Sequence, residues 1–232
     1  MRFVKLSSFP ILEQLRLEAN VFRKSHENWC IVSSNGTIDP TIVVGRFGEV
    51  SKLVDMDASF KDNISVVRRA SGGGTVIVDR DTMFVTLVCS SSFVKPLAMT
   101  CWASKLYTDV FRDVTGFQMD GFFDHVKDGK KFGGSAERRA CNRGFLHTSF
   151  LWDYNPANMN YLKFPPRVPA YRLNRSHGDF LCKMKDFLPY RNFMLEELER
   201  SLGNYFVLQP STLEDLQNIE RDPEDCTDII SL

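Results

Sequence analysis

The chain carries no Cys-x-x-Cys pair, no excess of either charge sign, no long apolar run and no low-complexity stretch, and each absence removes a class of function. Six cysteines, at 30, 89, 101, 141, 182 and 226, stand apart from one another and from any histidine at ligand spacing. That argues against structural zinc and leaves reduced, mostly buried thiols. Twenty-nine basic side chains balance 29 acidic ones, so no overall field draws the chain to nucleic acid or to an anionic membrane. No apolar run approaches the roughly 20 residues that cross a bilayer, and Met1 to Pro10 has neither the apolar core nor the cleavage site of a secretory signal. The expected compartment is a reducing one, the cytoplasm, with the mitochondrion left open; a helical pattern from residue 11 leaves little room for a presequence. With 232 residues, 43% of them hydrophobic, and no repeat or linker, one domain over 1–232 is the economical expectation.

What the chain does have is glycine, concentrated in two places. The first is Arg68-Arg69-Ala70-Ser71-Gly72-Gly73-Gly74-Thr75-Val76. A glycine costs about 1 kcal/mol of chain entropy relative to alanine, so three in succession point to close approach of backbone N–H groups to a ligand. Two arginines just upstream add guanidinium forks suited to a carboxylate or phosphate. A tight turn between strands is the plainer alternative. Neither common nucleotide loop fits, because Ile77 stands where the dinucleotide pattern needs glycine and no Gly-Lys-Ser/Thr follows. The second place lies within residues 127 to 143, where six basic side chains face only Asp128 and Glu137. There Gly129-Lys130-Lys131-Phe132-Gly133-Gly134-Ser135-Ala136 sets small residues after two lysines, so backbone can approach a ligand while a lysine reaches its acyl carbon or phosphate. The alternative is a solvated hairpin tip.

Periodicity places these segments. Apolar residues from Ile11 to Lys24 recur at helical spacing. Trp29 to Val32 and Thr41 to Val44, with Asn35-Gly36 between them, predict paired strands. A short helix over Val50 to Asp57 and a strand over Ile64 to Arg69 lead into the glycines. Val76 to Val78 and Met83 to Cys89 flank Asp79-Arg80-Asp81-Thr82, expected as a polar hairpin connection that leaves the glycines at a sheet edge. The longest helix is expected between Val94 and Val114, with Gly116 as its left-handed cap. Asp128-Gly129 predicts a two-residue hairpin between Phe122 to Lys127 and a strand from Lys131, and Gly144 to Trp152 predicts another strand. Asn155-Pro156 opens a helical turn, Pro165-Pro166 and Pro169 mark a loop, Pro189 to Leu202 returns to helix, and Ser211 to Glu214 reads as a capping box for a last one. The class is α/β in the α+β sense, a mostly antiparallel mixed sheet flanked by helices.

The two glycine segments, in this order, resemble lipoate-protein ligase A and its relatives in the biotin and lipoyl ligase superfamily. The resemblance runs from the Ile11 helix through Val43-Val44-Gly45-Arg46-Phe47 to Gly144-Phe145-Leu146-His147-Thr148-Ser149-Phe150, roughly residues 10 to 190. It implies the class II biotin/lipoyl ligase catalytic fold and a two-step reaction. Lipoate would be activated by ATP with magnesium to lipoyl-AMP, then passed to a lysine of a carrier, either a lipoyl domain of a 2-oxoacid dehydrogenase complex or the glycine cleavage H protein. By that resemblance Lys131 is the catalytic lysine, whose ammonium would offset charge on the carboxylate and phosphate. Arg69, Ser71, Gly72, Gly73, Gly74 and Thr75, with Gly134, Ser135, Ala136 and His147, would line the substrate site. Asp124 would hold magnesium, its alternative being a carboxylate paired with a nearby lysine; His147 has the alternative of a satisfied structural histidine.

The departures from the family pattern fall in the nucleotide half: Val78-Asp79 for His-Asp, Phe123-Asp124 for Asn-Asp, and Ser33-Ser34-Asn35 for a Trp-Arg segment. The C-terminal accessory domain of full-length bacterial ligases is expected to be missing, so that activation either needs a separate accessory subunit or does not occur in this chain. Two other functions compete. A cysteine-dependent octanoyl or lipoyl transferase would use Cys141 or Cys182, and a non-catalytic lipoyl-binding relative would have lost part of the nucleotide site. A biotin ligase fits the second segment less well.

Overall fold

The computed structural model describes residues 1–90, 93, 99–121, 123–140, 142–220 and 227–230. Strand β1 (Arg2–Leu6) leads into helix α1 (Ile11–Lys24), whose Ile11, Leu15, Ala19 and Phe22 are buried as the helical spacing requires. Strand β2 (Trp29–Ser33) is buried at every position. Its Cys30 and Val32 face one core while Trp29 and Ile31 face another, which is why this run shows no alternation of polarity. Next come β3 (Thr41–Val44), the short helices α2 (Val50–Leu53) and α3 (Met56–Lys61), β4 (Ser65–Arg68), β5 (Val76–Val78) and β6 (Thr82–Ser90). Helix α4 (Met99–Val110) is followed by β7 (Phe117–Asp120), β8 (Asp124–Lys127), β9 (Lys130–Ala140) and β10 (Arg143–Leu151). Helix α5 (His177–Phe180), α6 (Phe193–Gly203), β11 (Gln209–Ser211), α7 (Leu213–Gln217) and β12 (Asp228–Ile229) complete the order.

The strands form two sheets, one of eight in the order β11-β1-β2-β6-β10-β9-β8-β7 and one of four in the order β12-β4-β3-β5. Parallel pairing is confined to β1 with β2 and β11 and to β3 with β4, so both sheets are mostly antiparallel. One face of the large sheet is covered by α4 and α6 through Trp102, Leu106, Tyr107, Leu198 and Leu202. The other receives α1, whose first turns meet Val43, Val67 and Val78 of the small sheet and Phe84 of β6.

Four expectations change. β2 and β3 are not a hairpin: β2 pairs with β1 and β6, and β3 with β4 and β5, so Asn35-Gly36 lies on a crossing between sheets. Asp79 to Thr82 is likewise a crossing, because β5 and β6 belong to different sheets. The crossings stack: Gly36 N donates to Arg80 O at 3.2 Å, and a Cβ at Gly36 would sit 2.2 Å from Asp79 O. That glycine is there for close approach, a reason its turn signal does not reveal. Helix α4 is described from Met99 and ends at Val110, and Gly116 (φ +77°) instead opens the turn into β7; the expected helical residues 94–98 lie outside those described, as does the expected strand residue 122. The last capping box is Thr212 with Asp215, because Ser211 is taken into β11 opposite Val4.

Candidate active site

Where the two sheets diverge, a cavity of about 590 Å³ opens between the glycine loop, β5, β9, β10 and a roof made by residues 159–181. The arginines upstream of the loop do not reach into it with free donors. Arg69 is buried and sends its guanidinium to three carbonyls: Gly72 O (2.7 Å), Gly74 O (2.9 Å) and Val43 O (3.4 Å). Burial lowers its pKa to about 10. Arg68 Nη1 similarly gathers the carbonyls of Gly45, Arg46 and Gly48. Expected as ligand forks, both arginines are braces, because a loop outside either ladder has carbonyls that need donors. Turning those carbonyls toward the guanidinium leaves Gly73 and Gly74 exposed at the cavity wall. Gly73 has φ +92°, and a Cβ there would meet Arg69 Nη2 at 2.8 Å; nothing lies within 4 Å of a Cβ at Gly74. Thr75 also lines the cavity, with its buried Oγ1 unpartnered.

Asp128 (φ +48°) and Gly129 (φ +74°) form the tight turn joining β8 to β9. Asp124 stands opposite Gly134, His125 opposite Gly133, and Val126 opposite Lys131, so Phe132 is an extra residue and β9 carries a bulge. In an unbroken strand Lys131 and Gly134 would point to opposite faces. The bulge puts both on the cavity side while Phe132 goes to the core. A Cβ at Gly134 would sit 2.9 Å from Lys131 Nζ, so this glycine makes room for the folded-back lysine; at Gly133 it would strike the Phe150 ring at 2.5 Å. Lys131 Nζ donates to Asp124 Oδ1 at 2.7 Å, and Tyr171 OH donates to Asp124 Oδ2 at 2.9 Å. Burial and the adjoining carboxylate push the Tyr171 phenol far up, which keeps it a proton donor. Behind the lysine, buried His125 is held neutral, its pKa lowered to about 3 by burial first and by Lys131 second.

The cavity thus collects Lys131, Asp124, Arg69, Gly73, Gly74 and Thr75, together with Gly134, Ser135, Ala136 and His147, and leaves out Ser71 and Gly72. Ser71 is instead buried and its carbonyl accepts from Arg46 N at 2.9 Å. Ser135 Oγ is tied to Thr148 Oγ1 at 2.9 Å. His147 Nδ1 is fixed by buried Glu18 Oε2 (2.8 Å) and Thr86 Oγ1 (3.0 Å), with Gln14 Nε2 donating to the other Glu18 oxygen at 2.8 Å. Glu18 and the roof residues Tyr171 and Arg172 escaped sequence reasoning. Glu18 reads as one polar position of an amphipathic helix, and the roof is a proline-marked stretch without periodicity. Contacts stitch that roof to the lysine strand: Cys182 N donates to Lys131 O at 2.9 Å, and Arg175 Nη2 to Gly129 O at 2.8 Å.

A resident magnesium ion does not fit these side chains. Both Asp124 oxygens are engaged, and among the described residues no group of three or more His, Cys, Asp or Glu could hold a metal. Of the two candidate nucleophilic cysteines, Cys141 lies outside the described residues. Cys182 does not line the cavity, and burial pushes its thiol up to about 11. No helix among the described residues is long and apolar enough to cross a membrane.

An open glycine backbone facing a fixed lysine across a cleft, on this two-sheet frame, defines an α/β domain with a formed ligand cavity. The family model described as the lipoyl protein ligase A/B catalytic domain matches residues 10–207, and the chain belongs to that family. Similar proteins include inactive lipoate–protein ligase 2 of Plasmodium falciparum, 24% identical over 84% of this chain and 67% of that one. Octanoyltransferase LipM of Geobacillus kaustophilus is 23% identical over 75% and 74%, and lipoate–protein ligase 2 of Staphylococcus aureus is 27% identical over 79% and 54%. Among solved structures, a bipartite lipoate protein ligase with its E2 lipoyl domain from Thermoplasma acidophilum superposes with a TM-score of 0.77 at 18% identity, covering 93% of this chain and 89% of that one. Lipoate-protein ligase A bound with ATP gives 0.74 at 18% identity, covering 93% and 91%. The fold class expected from sequence is the one observed.

Proposed function

We propose that this protein transfers a lipoyl group from lipoyl-AMP to a lysine of a lipoyl carrier domain. The observation that carries the reading is Lys131, fixed by Asp124 at 2.7 Å in the same cavity that exposes the Gly73-Gly74 backbone. The carrier amine attacks the acyl carbon, a C–N bond forms, the bond to the phosphate oxygen breaks, AMP leaves, and the amine's proton goes to solvent or a base. Lys131 stabilises the negative charge that grows on the acyl and leaving phosphoryl oxygens, and Asp124 with Tyr171 aims its ammonium. Apolar walls from Ile11, Val43, Val78 and Phe84 suit an aliphatic acyl chain, and His147 stands beside them with its ring held by Glu18.

The preceding step, in which the lipoate carboxylate attacks the α-phosphate of ATP and releases diphosphate, belongs to the same reading through the ATP-bound relative. Magnesium would arrive on the nucleotide phosphates, since Asp124 is committed to the lysine. The departures around Val78 and Phe123 favour a chain that completes this step with an accessory subunit, and residues 1–232 are then a catalytic domain. A carrier-lysine acceptor is supported by the relative solved with its E2 lipoyl domain; the H protein is a second acceptor of the same chemistry. A transferase that uses Cys182 is disfavoured, since its raised pKa and place outside the cavity make that thiol a poor nucleophile.

Mass spectrometry of a lipoyl domain tests the proposal, first with lipoate, ATP and magnesium and then with lipoyl-AMP alone. Modification in both mixtures marks a full ligase, and modification by lipoyl-AMP alone marks a transferase that needs a partner. No modification in either would sink the enzyme reading in favour of a binding protein.

A further inference from the structure

The roof contains a cation that no carboxylate among the described residues pairs with. Arg172 lines the cavity and is only 4% exposed. Its Nε donates to Arg175 O at 3.0 Å, and its guanidinium lies against the rings of Phe164 (4.5 Å) and Phe180 (4.8 Å). No ion pair joins it to a carboxylate among the described residues, and its buried Nη2 has no acceptor. Arg167 also lines the cavity and adds positive charge, while His177 beside it is kept neutral, its pKa lowered by burial first and by Arg172 second. A buried donor without an acceptor is rare in a folded protein, and a guanidinium clamped between two aromatic faces cannot swing out to find water. The preceding residue, Tyr171, is the one that bonds Asp124 and so ties this part of the roof to Lys131.

We infer that Arg172 is the roof's binding residue for the phosphoryl group of the acyl donor, so that the donor is held by a guanidinium above and an ammonium below. The inference rests on the acyl-donor reading of the cavity and goes beyond it by assigning the phosphate recognition to this side chain. Two kinds of donor carry a phosphoryl group, an acyl nucleotide with it joined directly to the acyl oxygen and an acyl phosphopantetheine thioester with it at the far end of the pantetheine arm, and the phosphate chemistry seen by Arg172 is shared.

The test is calorimetric binding of three probes, lipoyl-AMP, S-octanoyl-4′-phosphopantetheine and neutral lipoamide, to the wild-type chain, Arg172→Met and Arg172→Lys. Methionine keeps the packing between the two rings, and lysine keeps the charge; melting temperatures establish that each variant is folded. The expected result is a loss of roughly 10- to 100-fold in Arg172→Met for whichever phosphorylated donor the wild type binds, a smaller loss in Arg172→Lys, and lipoamide unchanged within about twofold. Which donor loses affinity identifies the source. Equal weakening of all three probes, or no change in any, overturns the inference and assigns Arg172 to cavity shape. Wild-type binding of lipoamide with neither phosphorylated donor overturns it while leaving the acyl site standing. Binding of none of the three overturns the acyl-donor reading itself.

Discussion

Adding one methyl group in turn to three neighbouring glycines separates a ligand cradle from a tight turn. At Gly73 the backbone is left-handed, φ +92°, and the new Cβ would lie 2.8 Å from Arg69 Nη2. An L-residue in that region costs about 1–2 kcal/mol, and displacing a guanidinium that serves Gly72 O and Gly74 O adds about 1–2 more. For a chain of this length each kcal/mol lowers Tm by about 2–4 °C, so Gly73→Ala is expected to melt about 5–15 °C lower. At Gly74 nothing lies within 4 Å of the added methyl and φ is not positive, so stability should hold within about 0.5 kcal/mol. Gly74 does line the cavity, however, and a methyl there is expected to weaken acyl-donor binding about 5- to 100-fold, the cost of overpacking a formed site. Gly72 is equally open but lies outside the cavity lining, so Gly72→Ala should change neither quantity. Calorimetric melting and lipoyl-AMP titration on all three variants read both axes. Unchanged affinity in Gly74→Ala would refute the cradle, and a Gly73→Ala protein as stable as wild type would refute the brace assigned to Arg69.

Three further outcomes follow from the site. Lys131→Met is expected to lower lipoyl-domain modification by about 10²- to 10³-fold while the protein stays folded, with a stability cost of about 1–2 kcal/mol because its partner Asp124 is largely buried; wild-type rates would remove Lys131 from the chemistry. Cys182, with its thiol pushed up to about 11, should react with iodoacetamide at neutral pH roughly 300-fold more slowly than a free cysteine, and Cys182→Ser should keep its activity; rapid alkylation mapped to that peptide, or a trapped acyl thioester, would revive the cysteine mechanism. Buried His125, whose pKa falls to about 3, binds its proton in the unfolded chain near pH 6.5 but not in the native one, so its contribution to stability is intact above pH 6.5 and drains away as the pH drops toward 3. At pH 4.5 that loss is roughly 3 kcal/mol, and the denaturation midpoint of His125→Phe should be correspondingly less sensitive between pH 7 and 4.5; parallel pH profiles would show that His125 is not the group responsible.

Local rules carried far into this fold. The spacing in Ile11–Lys24 predicted α1 with its bounds, because a stripe that must be buried repeats at helical period whatever it packs against. Asp128-Gly129 predicted the β8–β9 turn, because only residues tolerant of positive φ suit it. The same turn signal misled at Asn35-Gly36, where the glycine answers to the carbonyls of Asp79 and Thr82 in another crossing. Sheet membership was not readable either. β2, β3, β5 and β6 are all apolar runs, and which neighbours pair and which separate into two sheets on either side of α1 is a long-range fact.

The sequence by itself singled out a lysine and two glycine-rich segments, because glycine runs cost chain entropy unless a turn or a close approach calls for them, and the fold brings residues of both segments to one cavity. The sequence also determined the family, since two ordered motifs specify it more narrowly than either does alone. Only the tertiary structure decided where their side chains go and what they touch. The bulge at Phe132 turns Lys131 onto the side of Gly134 and Asp124, against the alternation that strand spacing implies. Packing converts Arg68 and Arg69 from ligand forks into loop braces, because carbonyls without ladder partners take the nearest donors. Tyr171 and Arg172 enter the site from a loop about 40 residues beyond the lysine, where no periodicity marks them, since a roof held by backbone bonds to β9 needs no pattern of its own.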